Sequence, residues 1–207
     1  MAGRLRHEAA AGLGDARTRI LGVFLIVVAV LGTLLLRAFA NFETVFVAAL
    51  LAGSLLGRWW TVLVPAAALA FLQSLDWATY GGYGLQAMIA LSFFIVSGYV
   101  FVGLIGRRIG PRIVFRVKSV ALLTTISVPL TIAYDLWTAS GEWYFITRPL
   151  GIPWDLMLKA QVPFTLYHLL SALIFVPLFG TAFLFLHAYG WQFRWGQTAP
   201  SRPMDRP

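Results

Sequence analysis

The sequence predicts an all-α polytopic membrane protein with six transmembrane helices and both termini in the cytoplasm. Hydrophobic residues make up 59% of the 207-residue chain and the mean hydropathy is +0.79. Charged residues make up 12% of the chain, whereas an average soluble domain has about 25%. Long apolar stretches alternate with short polar segments, and the basic residues are concentrated in every second segment. These observations favour one compact helical bundle without a sizeable soluble domain.

The first three predicted spans lie in the N-terminal half. Residues 20–36 carry no charge over 17 positions, which is about the minimum length for crossing the hydrocarbon. Residues 45–57 are rich in alanine, glycine and serine, and small residues let helices approach closely in lipid. Residues 61–75 form the third span. The short second span is therefore expected to pack tightly against its neighbours.

The last three predicted spans complete the membrane domain. Residues 85–106 are uncharged, the fifth span covers about 120–134, and the sixth begins near Pro163 and ends at about 189. Pro163 is a natural first-turn proline. The domain prediction is a basic cytoplasmic segment at 1–19, a six-helix membrane domain at 20–190 and a polar cytoplasmic tail at 191–207.

Two aromatic segments between the spans are predicted to be loops. Residues 76–84 combine an acid, aromatic residues and glycines, and residues 135–168 form the longest polar interruption. Pro149, Pro153 and Pro163 are expected to break any regular helix there. Loops longer than about 15 residues without regular structure are usually functional or disordered, and disordered segments are poor in aromatics. Residues 135–168 are therefore predicted to form the lid and wall of a ligand site.

The distribution of basic residues predicts the orientation. If both termini share one side, thirteen of the sixteen basic residues lie on that side. The exceptions are Arg37, Arg148 and Lys159. Because cytoplasmic loops carry the excess of Lys and Arg, the basic side is predicted to be cytoplasmic. The basic residues are thus interpreted as topology determinants and lipid contacts, not as a nucleic-acid surface.

The predicted outer loops combine acidic and aromatic residues. Five of the eight acids lie there, and single Trp or Tyr residues at an interface are ordinary anchors. Their concentration favours a small-molecule site, in which aromatics stack on a planar ring and carboxylates accept hydrogen bonds. No catalytic or metal-binding residue is expected. The predicted substrate-binding residues are Asn41, Glu43, Asp76, Trp77, Tyr80, Gln86, Asp135, Trp137, Trp154 and His168.

Structural alternatives exist for several of these residues. Asn41 is also a suitable helix N-cap, with Glu43 in the first turn favoured by the helix dipole. Asp135 and His168 lie at the ends of adjacent predicted spans and could pair with each other. For His168, a local hydrogen bond or a helix cap stands beside ligand contact.

Four segments resemble the substrate-binding S components of energy-coupling factor (ECF) vitamin transporters. The run Asn-Phe-Glu at 41–43 leads into Ala-Ala-Leu-Leu-Ala-Gly at 48–53 and resembles the opening of their second helix. The glycine-rich run at 81–88 resembles their third-to-fourth helix passage. Ala-Tyr-Asp-Leu-Trp-Thr at 133–138 and Pro-Phe-Thr-Leu-Tyr-His at 163–168 are similar to the end of their fifth helix and the start of their sixth.

The resemblance implies a function. S components are six-helix, non-enzymatic proteins of the prokaryotic cytoplasmic membrane that bind a vitamin or vitamin precursor in an external pocket. They dock onto a coupling subunit driven by two ATPase subunits, so ATP is used by the partners and this chain binds no cofactor. Family members often carry Ala-x-x-x-Ala on the first helix for docking, whereas this chain offers Gly22, Ala29 and Gly32. Cobalamin, a deazapurine precursor and a thiamine-like ring are all compatible ligands.

Two other classes of membrane protein share features with this sequence. A membrane scaffold or small-solute channel is the main alternative, although the spans contain few polar residues for a pore. A rhomboid-like intramembrane protease would use Ser97 with His168 or His187. That family has glycine where this chain has Ile95, and the three side chains are expected at different depths, which disfavours proton transfer between them. The chain has no cysteine, no His-Glu-x-x-His motif and no P-loop.

Overall fold

The structure is a computed structural model that describes residues 16–39, 44–80 and 84–189; for Arg58 and residues 76–80 it describes the backbone alone. The described residues are helical and include no strand, so the predicted all-α class is confirmed. The helices are α1 Ala16–Leu35, α2 Val45–Leu56, α3 Arg58–Tyr80, α4 Leu85–Ile109, α5 Val117–Glu142 and α6 Trp154–Tyr189.

Four of these helices, α1, α4, α5 and α6, are long and apolar enough to cross a membrane. Helix α2 has 12 residues, and the apolar part of α3 covers residues 59–75, so these two apolar stretches are shorter than those of the other four helices. A membrane-embedded helical protein is therefore well supported by length and composition. The count of six spans and the orientation of the termini stay predictions.

Helix α2 forms the centre of the bundle. Every residue from Thr44 to Ser54 is buried, and the helix packs against α1, α3, α4 and α6. Its N-terminal end is held by Thr44, whose hydroxyl donates to the carbonyl oxygen of Ala29 at 2.9 Å. At its other end Gly57, with φ of 96°, reverses the chain into α3. A helix that is apolar all round lies either in a protein core or in lipid, and the burial of α2 places it in the core of the bundle.

Small residues allow α2 and α4 to touch along their backbones. A Cβ atom at Gly53 would collide with the carbonyl oxygen of Gly103, and one at Gly106 would collide with the carbonyl oxygen of Leu50. A Cβ at Gly110 would lie 2.7 Å from the carbonyl oxygen of Ser54. Close helix approach through small residues is typical of membrane bundles, and the prediction of tight packing for the second span is confirmed.

The prediction of an irregular loop over residues 135–168 is wrong. Helix α5 continues to Glu142, a π-helical turn covers Trp143–Thr147 and a 3₁₀ turn covers Arg148–Leu150. Only three residues then precede α6, which starts at Trp154.

The prolines do not break this segment because they occupy tolerant positions. Pro149 lies in the first positions of the 3₁₀ turn, where a missing amide hydrogen costs nothing. Pro153 directly precedes α6 and accepts a hydrogen bond from the amide of Met157. Pro163 lies inside α6 and not in its first turn, which corrects the predicted start of the sixth helix.

The predicted loop at 76–84 is also wrong in part. Helix α3 runs through Tyr80, so residues 76–80 extend the helix beyond its apolar stretch, and residues 81–83 lie outside the described ranges. Polar and aromatic side chains do not terminate a helix by themselves, since Asp, Trp and Tyr cost less than 1 kcal/mol relative to alanine, on the order of 0.5 kcal/mol each.

Candidate functional site

A cavity of about 550 Å³ opens at one end of the bundle. Its lining comes from the C-terminal parts of α1, α3 and α5 and from the N-terminal parts of α4 and α6. We call this end of the molecule the cavity end. The volume lies within the range of about 300–1,000 Å³ that is typical of small-molecule sites. The polar residues of its wall include Thr33, Arg37, Gln73, Ser92, Glu142 and Gln161.

The two ends of the bundle differ in charge. Within the described ranges, all four acidic residues belong to segments at the cavity end, together with three basic residues. The opposite end, where α1, α3 and α5 begin, carries the other eight basic residues of those ranges. They are Arg17, Arg19, Arg58, Arg107, Arg108, Arg112, Arg116 and Lys118. Within those ranges the acidic residues thus lie at one end of the bundle and most of the basic residues lie at the other. The sequence predicted the same separation of charge between the two sides.

A buried acid–imidazole pair lies in the cavity wall. The Nδ1 atom of His168 on α6 lies 2.8 Å from Oδ1 of Asp135 on α5. The exposed fractions of Asp135 and His168 are 3% and 1%. Pairing was one of the possibilities that the sequence offered for these two residues, and the structure shows it between two adjacent helices.

Aromatic rings hold the His168 imidazole in place. The ring of Phe46 meets it edge-on at 5.3 Å between centroids, and the ring of Tyr134 does so at 5.5 Å. Tyr134 also stacks on Tyr99 at 4.4 Å. Because Phe46 and Tyr99 are fully buried, the imidazole has little freedom to rotate away from Asp135.

The second oxygen of the Asp135 carboxyl group is open. Its Oδ2 atom is buried and has no hydrogen-bond partner among the residues that the structure describes. Asp135 is itself one of the residues that line the cavity. Buried polar atoms are normally hydrogen-bonded, and an open carboxylate oxygen in a cavity wall is a common feature of a ligand site.

One face of α5 supplies the acidic side of the cavity. Asp135, Thr138 and Glu142 all line it, and their spacing of three and four residues places them on one helix face. The Thr138 hydroxyl lies 3.1 Å from the carbonyl oxygens of Tyr134 and Asp135, so its hydrogen is used within the helix. The two carboxylates are therefore the principal acceptors that α5 offers, about 10 Å apart along the helix axis at 1.5 Å per residue.

Sequence reasoning missed several lining residues. Tyr99 and Tyr134 lie in the middle and at the end of predicted spans, and Gln73 and Gln161 flank apolar stretches. The polarity of these side chains was a signal that could have identified them, because polar groups within membrane spans are costly and tend to be functional. Arg37 also lines the cavity, although the sequence indicated only that it ends the first span.

The predicted site residues fall into three groups. Asp135 and His168 lie together in the cavity wall, and their role in ligand binding stays a prediction. Gln86, Trp137 and Trp154 are outside the described cavity lining. The remaining predicted contacts, whose side chains lie outside the described part of the chain, are Asn41, Glu43, Asp76, Trp77 and Tyr80.

The tryptophans outside the cavity pack helix ends together. Trp137 lies 4.6 Å from the Phe94 ring and donates its indole hydrogen to Ser97 Oγ at 3.0 Å. Trp154 packs on Trp143, with ring centroids 5.3 Å apart. These contacts tie α5 to α4 and the start of α6 to the π-helical turn, so both residues shape the rim from outside the described lining.

Comparisons of the chain with models of known protein families, with curated proteins and with solved structures found no match.

Proposed function

We propose that this protein binds a vitamin or vitamin precursor in the cavity and serves as the substrate-binding subunit of an ECF-type uptake system. The observation that carries the proposal is the open cavity, with the buried Asp135–His168 pair in its wall. A hollow of this size with a few convergent polar groups is the usual form of a small-molecule site. The resemblance of residues 133–138 and 163–168 to S components adds the transport role.

The packing beneath the cavity favours a binding site over a channel. The described lining belongs to one end of the bundle, and the centre is filled by the enclosed helix α2. Leu50 and Leu51 of α2, Val102 of α4 and Val176 of α6 are fully buried. A water-filled path would need polar groups along several helices, whereas these positions are hydrocarbon.

The partners of Ser97 favour binding over proteolysis. Its hydroxyl donates to the carbonyl oxygen of Phe94 at 3.2 Å and accepts from the Trp137 indole at 3.0 Å. A nucleophilic serine needs a base within hydrogen-bond reach, whereas the partners of the Ser97 hydroxyl are the Phe94 carbonyl and the Trp137 indole.

In this proposal the coupling subunit and the two ATPase subunits dock on a face other than the small residues of α1. Ala29 is fully buried, and Gly22 and Gly32 are covered by the side chains of Trp60 and Thr44. These small residues serve contacts within the chain. In this arrangement the basic end of the bundle lies at the inner leaflet of the membrane, and it faces the cytoplasmic partners.

The proposal is tested by ligand capture. The protein is purified from cells grown in rich medium, and small molecules released on denaturation are identified by mass spectrometry. We expect a stoichiometric organic compound, and a rise in melting temperature when the same compound is added back. Protein that releases no compound and shows no thermal shift across a vitamin panel contradicts the proposal.

A further inference from the structure

The Asp135 carboxyl group is poised to accept a hydrogen bond from the cavity. Its Oδ1 atom faces His168 Nδ1 at 2.8 Å, while Oδ2 has no partner within the described ranges. The side chain is more than nine-tenths buried. Asp135 is also one of the residues that line the cavity.

The role of Oδ2 does not depend on where the shared proton lies. If the proton is on His168 Nδ1, the carboxylate is ionised and Oδ2 is an acceptor. If the proton is on Asp135 Oδ1, Oδ2 is the carbonyl oxygen of a neutral acid and is again an acceptor. In both arrangements the complementary group is a donor.

The charge of the surrounding wall limits the donor further. Glu142 lines the cavity on the same face of α5 as Asp135, so that face presents two carboxyl groups. Arg37, in the turn after α1, is the one Lys or Arg in the described lining, and it is exposed. A carboxylate that faces a like charge in a low-dielectric site is unfavourable. An anionic group would thus be repelled from the α5 side of the cavity.

We infer that the ligand presents an N–H donor, carried by a neutral or cationic nitrogen group such as an amino-heterocycle or amidine, to Oδ2 of Asp135. The inference rests on the proposed function and adds the chemical class of the group that the site recognises. Glu142, about two turns further along α5, favours the cationic form. The stacked rings of Tyr99 and Tyr134 form an adjacent aromatic wall.

Four small compounds that share a phenyl ring and differ in their polar group test the preference for an N–H donor directly. Benzamidine is a cation with N–H donors, benzamide is neutral with N–H donors, methyl benzoate is neutral without donors, and benzoate is an anion without donors. Binding of each to the purified protein in lipid nanodiscs is measured by saturation-transfer NMR. We expect the affinity order benzamidine, benzamide, methyl benzoate, benzoate.

Substitutions test whether the order of probe affinities depends on the carboxyl groups of Asp135 and Glu142. Asp135→Asn replaces the accepting oxygen with an amide group, and we expect it to weaken benzamidine binding at least about tenfold, as for a lost charge-assisted hydrogen bond. Asp155→Asn is the matched control, because Asp155 is exposed on α6, pairs with Lys159 at 3.4 Å and lies outside the described lining. Glu142→Gln is expected to reduce the difference in affinity between benzamidine and benzamide while leaving Asp135 paired with His168.

The outcomes separate this inference from the proposed function. Binding of benzoate or methyl benzoate as tight as that of benzamidine overturns the inference and leaves a ligand-binding cavity in place. An unchanged affinity for benzamidine in a folded Asp135→Asn protein also overturns it, and indicates that the ligand does not contact Oδ2. If none of the four probes binds and no ligand co-purifies, both the inference and the proposed function are contradicted.

Discussion

The Asp135 carboxyl group on α5 and the His168 imidazole on α6 meet 2.8 Å apart in a buried position. Phe46 of the enclosed helix α2 closes the pair from a third side. One polar contact thus links three helices in the wall of the cavity.

Removing either partner of this contact is expected to destabilise the fold. Asp135→Ala and His168→Ala each leave the other group buried and unpaired, which costs about 3–5 kcal/mol for buried ion pairs. The double variant removes both groups, so its cost is expected to be smaller than the sum. Unfolding in mixed micelles, followed by circular dichroism, measures the four proteins, and strictly additive costs contradict an energetic coupling.

The glycine contact between α2 and α4 gives a second prediction. Gly53→Ala places a methyl group against the carbonyl oxygen of Gly103, a backbone atom that cannot move without shifting the helix. We expect a large loss of folded protein in detergent, measured by size-exclusion chromatography. Gly180→Ala is the control, because its nearest neighbour would be Leu123 at 3.9 Å. That substitution is expected to be neutral or stabilising by up to about 1 kcal/mol, and equal losses in both variants would contradict the packing argument.

Filling the cavity is expected to abolish binding without unfolding the protein. Ser92→Trp introduces a large side chain into the cavity wall. Phe93→Trp makes a similar change at the next position, which is 62% exposed and lies outside the described lining. Mass spectrometry of co-purified ligand should find the compound in the Phe93 variant and not in the Ser92 variant. Retention of ligand by folded Ser92→Trp protein would place the site elsewhere.

The orientation of the chain is testable by cysteine labelling, because the natural chain contains no cysteine. Lys159→Cys lies at the cavity end and Arg112→Cys lies at the basic end, and both positions are exposed. A membrane-impermeant maleimide applied to intact cells is expected to label the first variant and not the second. Labelling of Arg112→Cys alone would mean that the cavity opens to the cytoplasm.

Much of the architecture is encoded in hydropathy and charge. The uncharged stretches predict the helices, because backbone polar groups in lipid must be satisfied within each segment. The pairing of Asp135 with His168 was one possibility that the sequence offered, because the two residues lie at the ends of adjacent predicted spans. The extent of the helices was less predictable, because Asp155, Lys159 and Gln161 interrupt the apolar pattern and the sequence therefore placed the helix start at Pro163.

The composition of the site was harder to predict. The sequence indicates at which end Trp137 and Trp154 lie, but an aromatic residue at a helix end fits the interface, a neighbouring helix or a ligand equally well. Their rings pack on Phe94 and Trp143. Beside Tyr99, a Cβ atom at Gly98 would lie 2.7 Å from the Tyr134 ring, so glycine at this position lets α4 and α5 pack closely next to the cavity. Such side-chain directions depend on how the helices pack, which single-sequence patterns leave open.

The enclosure of α2 has a consequence for biogenesis. With 12 residues, the helix is about 18 Å long at 1.5 Å per residue, whereas the hydrocarbon layer is about 30 Å thick. It therefore cannot reside in lipid as an independent segment during synthesis. We expect α2 to enter the bilayer together with α1 and α3 as a preassembled unit of three helices. The later helices then pack around it.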